Sequence, residues 1–185
     1  AVSFNRWGEW VKCVVPFIEG TRLLELGHGP GHLQRLLLSQ GLTAVAIDES
    51  IQMGRIARRN TNGAARLTRG LAQLLPFADG SFDAIVSTFP TEYIFDSRTL
   101  AEAGRCLSDG GRLIVLPVAL PKHPFLDWLY KVTGESPSEA VEIIEAGLIK
   151  PFRQAGFEGE IHRLDLRSSR LLIVVAVKMK EEDRC

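Results

Sequence analysis

Residues 23–33 read LLELGHGPGHL: an apolar run carrying one acid, Glu25, then glycines at 27, 29 and 31, then a second apolar run. Few folds can use such a stretch. A buried strand, a turn stripped of Cβ atoms and the start of a helix must follow one another with no slack. Glycine admits positive φ and lets another group touch the backbone. The segment therefore reads as a strand–loop–helix unit of an α/β sheet, with its loop bared toward something that approaches closely.

The rest of the chain keeps this alternation. Strands are expected at 22–26, 43–48, 65–70, 82–88 and 112–119. Helical patterns at 32–40, 50–60 and 98–107 lie among them, Gly41 ending the first and Ser50 capping the second. A helix over 6–18 carries Trp7 and Trp10, and DGG at 109–111 reads as a turn. Residues 121–146 break the pattern with prolines at 121, 124 and 137 and two helical stretches, about 125–132 and 138–146. A helix at 148–156 leads to closing strands at 160–166 and 171–178. Strands separated by helices build a parallel sheet covered on both faces. The link at 167–169 is short enough only for an antiparallel pair. The expected class is α/β, mostly parallel, with one antiparallel strand near the C-terminus.

Composition narrows the functions. A chain of 185 residues suits one domain over 1–185. Twenty-two basic and 22 acidic side chains cancel, so no global field draws the chain to nucleic acid or an anionic membrane. Arg55, Arg58 and Arg59 form a local basic cluster, either a solvated helix face or a binding patch. Cys13, Cys106 and Cys185 make no CxxC pair, and His32 and His162 have no ligand spacing, so no metal is expected. Free thiols fit a cytoplasmic protein. No run approaches the roughly 20 apolar residues of a membrane span, and residues 1–13 do not read as a signal peptide.

The loop has chemistry of its own. Adenosine-bearing cofactors place a ribose near the end of the second strand, where a carboxylate takes its hydroxyls; Asp48 stands there. The dinucleotide fingerprint GxGxxG sets its third glycine one residue later than Gly31. Glu25, two residues before Gly27, would repel a pyrophosphate and attract an ammonium or sulfonium. The loop thus suits a cofactor with a cationic portion and disfavours a nicotinamide dinucleotide.

Four segments, LLELGHGPGHL, AVAIDES, LLPFADGSFDAIVSTF and CLSDGGRLIVL, together resemble the class I S-adenosylmethionine-dependent methyltransferases, above all the group with an LPF…D-SFD segment, over about residues 23–116. The resemblance implies a Rossmann-like three-layer sandwich on a seven-stranded sheet. It implies S-adenosyl-L-methionine as cofactor, leaving as S-adenosyl-L-homocysteine. By resemblance Glu25, Gly27, His28, Gly29 and Gly31 form the cofactor loop, Asp48 holds the ribose, Leu71 and Ala72 lie beside the adenine, and Ser87, Thr88 and Phe89 lie near the methionine portion. Pro76 and Phe77 shape the turn before the fourth strand, and Asp83 is structural. Two positions depart from the family pattern: Leu71 replaces a frequent acid, and Glu49 a frequent apolar residue whose packing Met53 or Ile51 can supply. A lost charge-assisted hydrogen bond costs roughly 1.5–3 kcal/mol, which weakens a site without abolishing it.

Methyl transfer from a sulfonium asks the protein to align a nucleophile and exclude water. It forces no catalytic residue, and a general base is needed only for a protonated acceptor. On the acceptor side the candidates are Glu92, Tyr93, His123 and Trp128, with Asp127 and Tyr130 beside them. His123 is a base or an exposed loop residue; Trp128 and Tyr130 line a pocket or pack their segment on the core. An N-terminal helical cap (1–20) and the insertion at 121–146 would form a lid for a small-molecule acceptor, its reacting atom O, N or C. The alternatives are a non-catalytic methyltransferase-like binding or regulatory protein, which Leu71 and Glu49 favour, and a nicotinamide oxidoreductase, which the loop disfavours.

Overall fold

The computed structural model describes residues 7–121, 137–167 and 169–179, with the backbone alone at 121 and 137–144. A seven-stranded sheet runs in the order β3-β2-β1-β4-β5-β7-β6. Its strands are β1 (Leu23–Leu26), β2 (Ala44–Asp48), β3 (Arg66–Arg69), β4 (Phe82–Thr88), β5 (Leu107–Pro121), β6 (Phe157–Asp165) and β7 (Ser169–Lys178). The first five pair in parallel. Only β7 is reversed, antiparallel to both β5 and β6. This is the expected Rossmann-like sandwich.

Two apolar layers fix the sheet. On one face α1 (Trp7–Lys12) and α2 (His32–Ser39) bury Val11, Leu33 and Leu37 against Leu23, Ala84, Val86 and Ile114. On the other, α4 (Ser97–Cys106) and α5 (Pro137–Gln154) bury Leu100, Ala103, Ile149 and Phe152 against Leu24, Ile85 and Leu113. All four residues of β1 are buried, as a central strand covered on both faces requires. The helix α3 (Ile51–Asn60) starts at Ser50, whose hydroxyl accepts the Met53 N–H, and Gly41 takes φ +74° just past α2. Among the described residues no helix is long and apolar enough to cross a membrane.

Several boundaries differ from expectation, among them the start of β6, at Phe157 rather than 160. The helix expected at 6–18 is α1 and a separate 3-10 turn at Val15–Phe17, because Pro16 cannot continue an α-helical ladder. The stretches at 138–146 and 148–156 are one helix, α5, with Pro151 inside it. The DGG turn lies within β5: the register jumps from Phe82↔Leu107 to Ala84↔Arg112, and Gly110 takes φ +73°. The extra residues are looped out as a bulge, which a residue with positive φ makes possible. The helix expected at 125–132 lies outside the described residues.

Side chains far apart in sequence hold the LPFADGSFD segment. The Arg105 guanidinium donates to the carbonyls of Leu75 and Phe77 and to the carboxylates of Asp79 and Glu102. Glu102 also accepts the Leu75 N–H at 2.7 Å, and Phe77 meets Phe82 edge to face. Asp83 ties the start of β4 to the start of β1, accepting from the Thr21 and Arg22 amides and the Arg22 side chain. Those bonds, Arg22 foremost, hold the Asp83 carboxyl down at about 2. Asp83 is thus a structural clamp below the site.

Candidate active site

In a sheet of this order the connections leave in opposite directions between β1 and β4, and the carboxyl ends of the strands open a crevice there. A cavity of about 690 Å³ lies at that place. Gly27, Gly29, Asp48, Glu49, Met53, Leu71, Ala72, Glu92 and Tyr93 line it. Ile47, Gln73, Phe89, Pro90, Thr91 and Asp96 complete its wall, together with Ser50 and Gly70.

The three glycines answer to three different neighbours, at φ +70°, +48° and +82°. A Cβ on Gly27 would stand 2.2 Å from the Tyr93 hydroxyl oxygen. A Cβ on Gly31 would stand 3.0 Å from the Ala57 Cβ of α3. At Gly29 an added Cβ meets nothing within 4 Å, so Gly29 faces open space. The chain itself therefore crowds the loop at both ends, and its middle faces the cavity.

The loop is held from all sides. The Gly27 N–H donates to the Ile47 carbonyl at 2.8 Å. The Leu26 carbonyl accepts both the Ser87 hydroxyl (2.8 Å) and the Tyr93 hydroxyl (3.1 Å). The Gly29 N–H donates to Asp48 Oδ2 at 2.9 Å, while Asp48 Oδ1 accepts the Ser50 N–H at 2.8 Å. His28 is buried, and its Nδ1–H donates to the Gly29 carbonyl at 2.7 Å. Asn60, at the end of α3, donates to the Pro30 carbonyl.

Glu25 lies beneath this loop, 1 % exposed, and its Oε2 accepts the Gln34 amide at 2.8 Å. Burial pushes its carboxyl up to about 8; the Gln34 bond opposes the rise and nearby Asp48 adds to it. Burial likewise pushes Tyr93 up to about 12, with Ser87 opposing and Asp48 and Glu25 adding.

Some residues singled out in the sequence stand elsewhere. Thr88 does not line the cavity: alternation along β4 sets it on the face of Ala84 and Val86, and Phe89 forms the wall instead. Ser87 is fully buried beneath the loop. His28 and Gly31 serve the loop's own packing. Tyr93 and exposed Glu92, the acceptor-side candidates, do line the cavity, Tyr93 with its hydroxyl donating to the Leu26 carbonyl under Gly27. His123 and Trp128 lie outside the described residues, as does most of 121–146. Sequence reasoning missed Gln34; its signal was a polar residue on the apolar face of α2 between Leu33 and Leu37. Phe89, at φ +50°, and the two tryptophans of the N-terminal helix were each named, but not their contact: Trp7 lies at 4.4 Å and Trp10 at 5.6 Å from Phe89 between ring centroids, with Trp7 stacked on His32. Trp10 is anchored by its Nε1–H to Ser169 Oγ at the start of β7. Short α1 thus forms an aromatic wall beside the cavity.

Gly27→Ala is expected to push Tyr93 off the Leu26 carbonyl and strain the backbone, with about 1–3 kcal/mol lost. Adding Tyr93→Phe should restore part of the loss, read by thermal melts of both variants. Equal losses would mean that Tyr93 does not dictate the glycine.

Sheet order, glycine loop and acid-tipped β2 together define the class I methyltransferase architecture. A family model described as a methyltransferase domain matches residues 24–115, and the chain belongs to that family. The chain is 32% identical over 143 residues to a demethylmenaquinone methyltransferase of Thermobifida fusca, covering 71% of this chain and 61% of that protein. It is 29% identical over 135 residues to a ubiquinone/menaquinone biosynthesis C-methyltransferase of a Geobacter species, covering 68% and 57%. The fold is shared with magnesium protoporphyrin IX methyltransferase of Synechocystis, solved with bound S-adenosylhomocysteine, at TM-score 0.63, 19% identity and coverage of 96% and 89%. The chain spans about half to three-fifths of the length of the curated relatives it matches, 49% and 61% in two of them.

Proposed function

We propose that the chain binds S-adenosylmethionine in this cavity and transfers its methyl group to a small, flat, apolar acceptor of the quinol class. The observation that carries the reading is Asp48. Its carboxylate stands on the cavity wall at the end of β2, tied by Gly29 and Ser50 but with lone pairs left for two ribose hydroxyls. The residues present fit the cofactor. Gly29 leaves room for it, buried Glu25 offers a carboxyl beneath a cationic amino-acid end, and Met53, Leu71 and Ala72 offer a largely apolar seat for the adenine. Bound S-adenosylmethionine supplies an electrophilic methyl on a sulfonium.

The chain's part is alignment and exclusion of water. Phe89, braced by Trp7 and Trp10, offers an aromatic wall against which a ring can stack. A ring carbon gaining a methyl must lose a proton, and Glu92, exposed on the rim, is the carboxylate candidate to receive it. The names of the relatives support a quinone acceptor, and the aromatic wall supports a flat one.

The test is calorimetric titration with S-adenosylhomocysteine, followed by transfer of labelled methyl to a naphthohydroquinone bearing a free ring carbon. Saturable binding with transfer supports the whole reading. Binding without transfer to this or any quinol analogue would leave a cofactor-binding protein and remove the acceptor class. No binding by folded protein would overturn the cofactor as well.

A further inference from the structure

Residues 50–78 contain five arginines, at 55, 58, 59, 66 and 69, and no lysine, aspartate or glutamate. The whole chain is neutral, so this one segment is a concentrated positive region against a net negative remainder. Elsewhere most arginines are matched: Arg22, Arg98, Arg105, Arg112, Arg163 and Arg170 each hold a carboxylate, while Arg35, Arg153 and Arg167 stand singly and apart in the sequence. None of the five takes part in an ion pair among the described residues, and all five are exposed.

The same segment holds every exposed large hydrophobic among the described residues: Ile51 at 51%, Leu71 at 49% and Leu74 at 75%. Their placement is concerted. Ile51, Arg55 and Arg58 recur at helical spacing on the outer face of α3, opposite the Ala57 that packs on Gly31. The Asp48↔Arg69 register sets the start of α3 beside the turn that follows β3, in which the Leu74 N–H donates to the Leu71 carbonyl. Apolar side chains therefore project beside the cavity among guanidinium groups that hold no carboxylate among the described residues; Arg69 alone of the five donates to a backbone carbonyl, that of Glu49.

We infer that this face docks on the surface of an anionic phospholipid bilayer, with Ile51 and Leu74 entering the interface and the arginines meeting headgroup phosphates. A bilayer surface offers both complements at once, negative charge and an apolar layer just below it. A nucleic acid would satisfy the arginines, but the one aromatic side chain of residues 50–78, Phe77, is engaged edge to face with Phe82 and offers no free stacking platform. The inference does not depend on the identity of the methyl acceptor.

Vesicle co-sedimentation tests it. The protein is expected to bind phosphatidylcholine vesicles containing phosphatidylglycerol, to leave phosphatidylcholine vesicles unbound, and to be released by high salt. Joint Arg55→Glu, Arg58→Glu and Arg59→Glu substitution should lower partitioning at least about tenfold. Leu74→Ser should lower it severalfold with every arginine in place. Circular dichroism establishes that the variants fold, and S-adenosylhomocysteine titration of the Leu74 variant should match the parent. Absence of binding to anionic vesicles, undiminished binding by the charge-reversed protein, or tighter binding to polyuridylate than to vesicles would overturn the inference.

Discussion

Asp48→Ala is expected to weaken S-adenosylhomocysteine binding by about a hundredfold to a thousandfold. The carboxylate acts on the site twice. It holds the glycine loop to the start of α3 through the Gly29 and Ser50 amides, and it faces the cavity where ribose hydroxyls would bind. Each charge-assisted bond contributes roughly 1.5–3 kcal/mol, and about 1.4 kcal/mol is a factor of ten in affinity. Alanine also frees Gly29 to move, so part of the loss should appear in the ligand-free protein as a lower melting temperature. Asp48→Asn separates the two roles. Its one remaining oxygen can accept from Ser50 or from Gly29, while its NH2 group has no acceptor among those amides. Its loss should fall between parent and alanine in both readouts. A calorimetric affinity for Asp48→Ala within threefold of the parent would remove Asp48 from the site.

Glu25→Gln is expected to make the ligand-free protein more stable at neutral and mildly alkaline pH while making it a poorer binder. The Glu25 carboxyl rises from an ordinary 4.5 to about 8 on folding, through burial first. Between those values the folded chain holds a proton that the unfolded chain has released. The native state binds more protons, so stability falls as pH rises across the window. The Glu25 contribution is full below about 4.5 and is lost as pH climbs to about 8. By pH 7 the loss is on the order of 3 kcal/mol, at about 1.4 kcal/mol per unit. Glutamine escapes it, because it stays neutral and can still accept the Gln34 amide. A cationic cofactor reverses the preference: beside an ammonium the ionised form of Glu25 gains, so binding near neutral pH should expel its proton. Titration heats in phosphate and Tris, which differ in ionisation enthalpy, should then differ for the parent and coincide for the variant. Identical heats for the parent in both buffers would show that Glu25 keeps its proton and does not read the cofactor's charge.

What the sequence disclosed, and what it hid, follow from the range of the interactions concerned. The glycine loop, the acid closing β2 and the Ser50 cap are local: each depends on residues a few positions away, so their spacing was legible. The reversed strand was legible too, because a short link leaves the chain only one way to turn. Tyr93 was legible as a residue of the cavity, but its hydroxyl's partner, the Leu26 carbonyl, was not: it lies 67 residues away, and nothing in TEYIF says which way the ring turns. Gln34 escaped notice because a polar residue on an apolar helix face becomes meaningful only when Glu25 is known to face it. Thr88 was assigned from the segment it belongs to, not from the side of β4 it occupies. The basic cluster at 55–59 was noticed but undecided. Only the fold brought Leu71 and Leu74 to its flank and left its arginines without carboxylate partners among the described residues.

The position of β7 bears on how the protein is made. Strand β7 follows β6 in the chain yet lies inside it in the sheet, between β5 and β6. Until Lys178 has left the ribosome, β6 has no partner in the sheet, and one edge of β5 is bare along Leu113–Val115. Strands β1 to β5 can assemble on the emerging chain, but this sheet closes only after β7 has emerged. During that interval Leu113, Ile114 and Val115 present an apolar edge of the kind that invites chaperones or aggregation. That edge therefore waits during synthesis for the whole of residues 122–178 to be made.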